Sequence, residues 1–342
     1  MIQENRNRPS PPSEGSDGHL ARAYAYCETL LREHDKDRFL ADLFLPASVR
    51  PQAQALQAFS FEIARVREAV SEPMPGELRH QWWRDVLARG AGGDVDANPV
   101  AASLLDTLDR FGLSGAPLEA LIDARSFDLY DEPMPHLAAL ESYCDHTSSI
   151  LFLLTGVMLD QASAGNAATV SGEPDWALPS LHGGTARPLE KAGRHAGLAY
   201  AFTGLIRAFA LHAAQGRVYL PEELLHRHGA SREDVISGRS SPALLAAIGD
   251  WRAEARRHVA AAKDAMAGVP QASRPAFLPL ALVEPYLRQS EARGYDPFRI
   301  PIELPQWRRQ WILWRGARRC RRPRSGGRSL SPPGPPPAPR LE

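Results

Sequence analysis

No stretch of eighteen consecutive apolar residues occurs anywhere in the chain, so a membrane-spanning helix is not expected. Charge of one sign is lacking too: forty basic and forty acidic side chains cancel, which withdraws support for a nucleic-acid partner. Cysteine is scarce. Cys27, Cys144 and Cys320 are odd in number and form no CxxC pair, which argues against a disulfide framework and a structural zinc site and fits a reducing compartment. The first residues, Met1 to Gly18, are polar, contain prolines and carry acids, unlike a signal or transit peptide. The expectation is a cytoplasmic protein, with peripheral attachment at the inner face of a membrane left open.

What is present is helical patterning. Apolar residues recur three and four apart, as in Leu56, Phe59, Ile63, Val66 and Val70, and no window shows sustained alternation of β-branched residues. The spacing predicts an all-α domain over residues 19–317. Its helices would cover 19–34, 36–44, 50–71, 75–89, 99–111, 117–128, 137–160, 188–214, 221–228, 231–237, 241–267, 273–293 and 305–316. Residues 1–18 and the Arg/Pro-rich tail 318–342 have too little apolar surface to fold. The stretches 90–94 and 161–186 read as loops.

Several segments carry a resemblance. Phe39 to Pro46, followed by Arg50 and Ala55 to Phe59, resembles the opening helices of squalene and phytoene synthases. Tyr143-Cys144 resembles the start of a pocket-lining helix of that family, and Arg207 followed by Gly216-Arg217-Val218-Tyr219-Leu220-Pro221 resembles its most specific signature. The resemblance covers about residues 19–300. It implies an isoprenoid synthase-type helical bundle with a central cavity, two prenyl diphosphate substrates and magnesium ions held by two aspartate-rich motifs. Paired aspartates four apart project from one helix face, where they can share hard cations with diphosphate oxygens. The cations then neutralise the leaving pyrophosphate.

Gap-free extension places the first motif of the family on Arg67, Glu68 and Ser71, and counting back from Gly216 places the second on Ala208 and His212. A guanidinium about 4 Å from a divalent cation costs several kcal/mol even at an effective dielectric near 20. The expectation is therefore that both metal motifs are degenerate, with no metal ligand set and no cofactor; magnesium enters only if the chain is an active enzyme. Arg50, Tyr143, Arg207, Arg217 and Tyr219 remain as candidates for holding an anion or lining the pocket, since guanidinium pairs bidentately with phosphate oxygens.

The segment Val66 to Glu72, Gln81-Trp82-Trp83, Tyr143 to Ser149, and Phe277 to Phe298 are similar to the non-catalytic branch of the family that includes the mitochondrial complex I assembly factor of the phytoene-synthase type. That resemblance implies an assembly or scaffolding role, with respiratory-complex subunits or assembly proteins as partners and a prenyl lipid or prenyl diphosphate as a candidate ligand. An active head-to-head prenyltransferase, with metal ligands drawn from Glu62, Glu68 and Asp128, is the alternative, and a prenyl-lipid carrier is a second one.

The remaining polar clusters read as ordinary surface. Asp123, Asp128 and Asp131 are expected to be surface charges, and His212 a pocket or surface histidine without a second ligand four residues away. Trp82 and Trp83 cannot both face the core. Trp307, Trp311 and Trp314, interleaved with Arg308, Arg309 and Arg315, fall on one helical stripe that suits a headgroup boundary, a protein groove or simple docking onto the bundle.

Overall fold

In the computed structural model the described residues are 16–90, 95–130, 132–165 and 186–320, and all regular structure among them is helical. The tails before residue 16 and after residue 320, Asp131 and most of the two expected loops lie outside them. Helix α1 (Ser16–His34) packs on α3 (Arg50–Arg65) and α5 (Pro99–Phe111). The helices α4 (Pro73–Leu87), α6 (Ala116–Ser126) and α8 (Ile150–Ser163) complete this half. Its apolar cluster centres on Leu56, Phe59, Leu104, Leu121 and Met158.

The second half is built around α9 (Ala186–Arg207) and α13 (Pro242–Ala265), which run against each other over most of their length. Around them lie α2 (Lys36–Asp42), α7 (Leu137–Cys144), α10 (Phe209–Ala214), α11 (Glu222–Arg227), α12 (Arg232–Ile236), α14 (Val283–Gln289) and α15 (Gln306–Cys320). Phe202, Trp251, Leu282 and Tyr286 are its buried centre. Starts and stops follow local chemistry. Asn98 accepts from the amides of Val100 and Ala101 ahead of Pro99, and Gly112, at φ 55°, closes α5 in the left-handed region that a side chain would disfavour.

Four expected helices are interrupted, the one over 188–214 at Ala208, between α9 and α10. The helix over 50–71 ends at Arg65, tightens into a 3-10 turn Val66–Ala69 and becomes extended at Val70. Pro73 begins α4, and the residue before a proline is pushed to extended geometry, as Glu72 is. The span 137–160 contains a π-helical turn, Asp145–Ser149, between α7 and α8. The span 273–293 begins in a 3-10 segment, Gln271–Leu282, with Pro275 and Pro279 inside it removing amide donors, and turns α-helical at Val283. At the other end, α15 continues through Arg318 and Arg319 to Cys320.

The π-turn has a tertiary cause. Gly197 of α9 approaches it so closely that a Cβ there would lie 2.2 Å from Ser149 Cα. Ser148 Oγ donates to the Gly197 carbonyl and Ser149 Oγ to that of Arg194, at 3.1 and 2.9 Å, so the widened turn is bonded to the neighbouring backbone.

Candidate functional site

A cavity of about 270 Å³ opens on the inner side of α3 and α9. From α3 and its 3-10 extension it is lined by Ser60, Ala64 and Glu68, each four residues after the last; from α9 and α10 by Ala201, Gly204, Leu205 and His212. Tyr143, Tyr219, Arg217 and Asp128 complete the polar wall.

Asp128 is the centre of that wall. It follows α6 in a single tight turn and is only 6% exposed, which corrects the expectation of a surface charge. Tyr219 donates its hydroxyl to Oδ1 at 2.7 Å, and Tyr143 donates to both oxygens at 2.9 and 3.0 Å. Arg125 Nη1 donates to Oδ2 at 3.0 Å and also to the Tyr143 hydroxyl. Burial, reinforced by the Asp128 carboxylate, pushes the Tyr219 phenol well above its ordinary value, so it stays a donor. A buried carboxylate held by this many donors is satisfied from inside the protein, with little acceptor capacity left for a cation.

His212 stacks edge-on against Tyr219, with ring centroids 4.8 Å apart. Burial, helped by the Arg217 charge, lowers its pKa to about 4, so it is a neutral imidazole at ordinary pH. Arg217 itself bonds to the side chain of Gln215. The cavity therefore gathers Glu68, Tyr143, His212, Arg217 and Tyr219 from the residues expected from sequence.

The others go elsewhere. Arg67 donates to the Val70 carbonyl at 3.2 Å and is outside the lining; Ser71 lies beyond the helix and is exposed. The chain tightens after Arg65 and becomes extended at Val70, so of Arg67, Glu68 and Ser71 only Glu68 stays on the cavity face. Ala208 forms the joint between α9 and α10, with φ −88° and ψ 8°, also outside the lining. Arg50 reaches back over the end of α2 to the carbonyls of Asp42, Leu43 and Leu45, capping that terminus. Arg207 pairs with buried Asp37 at 2.9 Å and stacks over Tyr286. Asp37 also accepts from Tyr286 and, at 3.0 Å, from Arg309.

Sequence reasoning missed Arg38, Arg125 and Tyr200 in the cavity wall. The Arg125–Asp128 spacing of three was the available signal.

The cavity's donor set bears directly on magnesium. Its two carboxylates, Glu68 and Asp128, come from different elements, and Asp128 is engaged by Arg125 and two tyrosines. No two carboxylates four residues apart line it among the described residues, so the donors do not fit a diphosphate-bound magnesium cluster. Nor do Glu62, Glu68 and Asp128 meet in one cavity: Glu62 faces a second groove of about 420 Å³ beside Arg65, Trp82 and Trp83, which Glu68 also borders and Asp128 does not. In that groove Trp82 is the partly covered ring and Trp83 the buried one, as their adjacency required.

Among the described residues, carboxylate and imidazole atoms close enough to share an ion occur at Glu141, Glu254 and His258. Arg257 already pairs with both glutamates, at 2.8 and 2.5 Å, and His258 donates or accepts between Glu141 and His195. That cluster already holds a cation of its own.

The squalene/phytoene synthase family model matches residues 31–315. This chain belongs to that family. NADH dehydrogenase (ubiquinone) complex I, assembly factor 6 of Bos taurus is 28% identical over 297 residues, covering 84% of this chain and 82% of the bovine one. The 15-cis-phytoene synthase of Synechococcus elongatus is 27% identical over 314 residues, covering 88% and 94%. A solved dehydrosqualene synthase superposes with a TM-score of 0.69 at 16% identity, over 88% of this chain and 97% of that one. The isoprenoid synthase-type all-α fold expected from sequence is thus the fold observed. No described helix is long and apolar enough to cross a membrane.

Proposed function

We propose that this squalene/phytoene synthase-family protein is a non-catalytic assembly or scaffolding factor for a respiratory NADH dehydrogenase, working without magnesium. The observation that carries the reading is the state of the cavity: Glu68 and Asp128 are its carboxylates, and Asp128 is bound internally by Tyr143, Tyr219 and Arg125. Ionising an allylic diphosphate demands cations on the leaving group, and cations demand free, convergent carboxylates. The similarity to the bovine assembly factor supports the same role.

The partners under this reading are subunits or assembly proteins of the respiratory complex. The cavity walls, with Arg38 and Arg217 beside Leu205 and Tyr200, suit a small anionic amphiphile such as a prenyl diphosphate or prenyl lipid held without turnover.

The test measures two outputs in the same cells. Deleting the gene should lower assembled NADH dehydrogenase and leave squalene-type and phytoene-type products unchanged. Purified protein given farnesyl or geranylgeranyl diphosphate with magnesium should release no pyrophosphate. Formation of presqualene diphosphate or phytoene overturns the proposal in favour of a prenyltransferase, the reading that similarity to the cyanobacterial phytoene synthase supports. In that event Glu68→Ala should abolish the product while leaving the melting temperature unchanged, since Glu68 is exposed.

A further inference from the structure

Helix α15 has its chemistry reversed relative to an ordinary last helix. Its inward side is narrow: Leu313 and Ala317 are buried, and Gly316 sits so near the 3-10 segment Gln271–Leu282 that a Cβ would meet Leu278 at 3.2 Å. Arg309 pins the same side to Asp37. The opposite side, which should be the solvated one, carries Trp307, Trp311 and Trp314, exposed by 68%, 51% and 46%. Spacings of four and three place the rings on one stripe.

The cations on this face are arranged with the rings rather than apart from them. Arg315 lies over Trp311 at 4.5 Å and Arg318 over Trp314 at 4.6 Å. Arg308 and Arg319 are exposed beside them, and none of these four arginines forms an ion pair among the described residues. From Leu304 to Leu341 the sequence holds ten arginines and no acidic residue.

We propose that the outward face of α15 is a docking surface for an anionic lipid bilayer, on which the protein lies peripherally. Indole rings settle at the boundary between headgroups and acyl chains, and guanidiniums at the same depth pair with lipid phosphates. A bilayer boundary offers both chemistries side by side along the length of the helix. A protein groove would have to present a carboxylate at each arginine among its apolar pockets, because burying unpaired guanidinium is costly. The proposal does not rest on the assembly role, and it holds whether or not the cavity turns over a substrate.

The experiment uses the full chain and unilamellar vesicles, either pure phosphatidylcholine or phosphatidylcholine with about a third phosphatidylglycerol. The wild type should sediment with the anionic vesicles at low salt, lose binding at high salt and fail to bind the neutral ones. Lipids brominated near the headgroup should quench its tryptophan emission. Two variants, W307A/W311A/W314A and R308Q/R315Q/R318Q/R319Q, should each weaken binding about tenfold or more while melting like the wild type, because every changed side chain is exposed. A third variant replaces the tail arginines 321, 322, 324 and 328 with glutamine and should keep most of the binding. Failure of the wild type to bind anionic vesicles overturns the proposal. So does retention of binding by the α15 variants, or its loss only in the tail variant. Binding of a purified respiratory-complex subunit through the three tryptophans, without vesicle binding, would assign the face to a protein groove instead.

Discussion

The hydroxyl of Tyr219 donates to Asp128 at 2.7 Å across 91 positions of sequence, joining the family's most recognisable signature to the turn after α6. The same carboxylate takes the Tyr143 hydroxyl and the Arg125 guanidinium, so three separated segments meet on one buried charge. A carboxylate in this position serves structure, and its removal should register as a loss of stability.

Asp128→Ala leaves Arg125 without its buried partner and two phenols without an acceptor. Breaking a buried pair by removing one member costs about 3–5 kcal/mol. Tyr219→Phe removes one bond of the cluster and should cost about 1–2 kcal/mol. Urea unfolding followed by circular dichroism measures both, with Asp128→Ala expected to have the lower midpoint.

The lowered pKa of His212 makes stability depend on acid. Its value in the folded protein is about 4 against an ordinary value of 6.5, so the unfolded chain binds the proton more readily between those pH values. The contribution is therefore complete above pH 6.5 and declines as pH falls towards 4. Its size is about 2–3 kcal/mol, allowing for the imidazole being only partly enclosed. His212→Gln should remove this component. Unfolding free energies of the two proteins, measured from pH 7 to pH 4, should converge or cross by that amount as the wild type loses its advantage.

Gly197→Ala should be among the most damaging single changes in the chain. The added Cβ would meet backbone atoms of Ser149 at 2.2 and 2.5 Å, and backbone cannot rotate away as a side-chain tip can. Separating α9 from the π-turn would break the Ser148 and Ser149 bonds as well, for a total of about 3 kcal/mol or more. Gly204→Ala on the same helix meets nothing within 4 Å and is the control, expected to change stability by less than about 1 kcal/mol. Thermal melts of the two variants side by side decide it.

Arg309→Ala should loosen α15 without unfolding the rest. Arg309 is bound to Asp37, whose other partners, Arg207 and Tyr286, remain in the variant. Amide hydrogen exchange should rise over residues 306–320 while α3 and α13 stay protected. Asp37→Ala removes the shared acceptor of all three and should destabilise the whole protein by about 3–5 kcal/mol.

Much of the bundle was legible in the sequence because apolar spacing and proline positions are local information. The ends of α5, α6 and α13 follow from Asn98, Pro99, Pro117 and Ser241. The interruptions were not legible, since they arise between elements: the π-turn exists where Gly197 admits another backbone, and nothing in Asp145–Ser149 announces it. Site residues divide in the same way. Tyr143 and Tyr219 could be placed in the pocket by resemblance. The destination of Arg207 could not, because its partner Asp37 is 170 positions away. The burial of Asp128 was not legible, because the spacing of Asp123, Asp128 and Asp131 carries no sign of it: Asp123 stands exposed against Arg84, while the turn at Phe127 swings Asp128 inward.

The link between Asp37 and Arg309 spans 272 positions. On a ribosome, the acceptor on α2 emerges long before its donor on α15. Until α15 emerges, the carboxylate on α2 can be balanced by Arg207 but not by Arg309, and the 3-10 segment that α15 covers is open. Completion of the bundle therefore waits for α15, and the helix that closes it is also the one that presents the three exposed tryptophans.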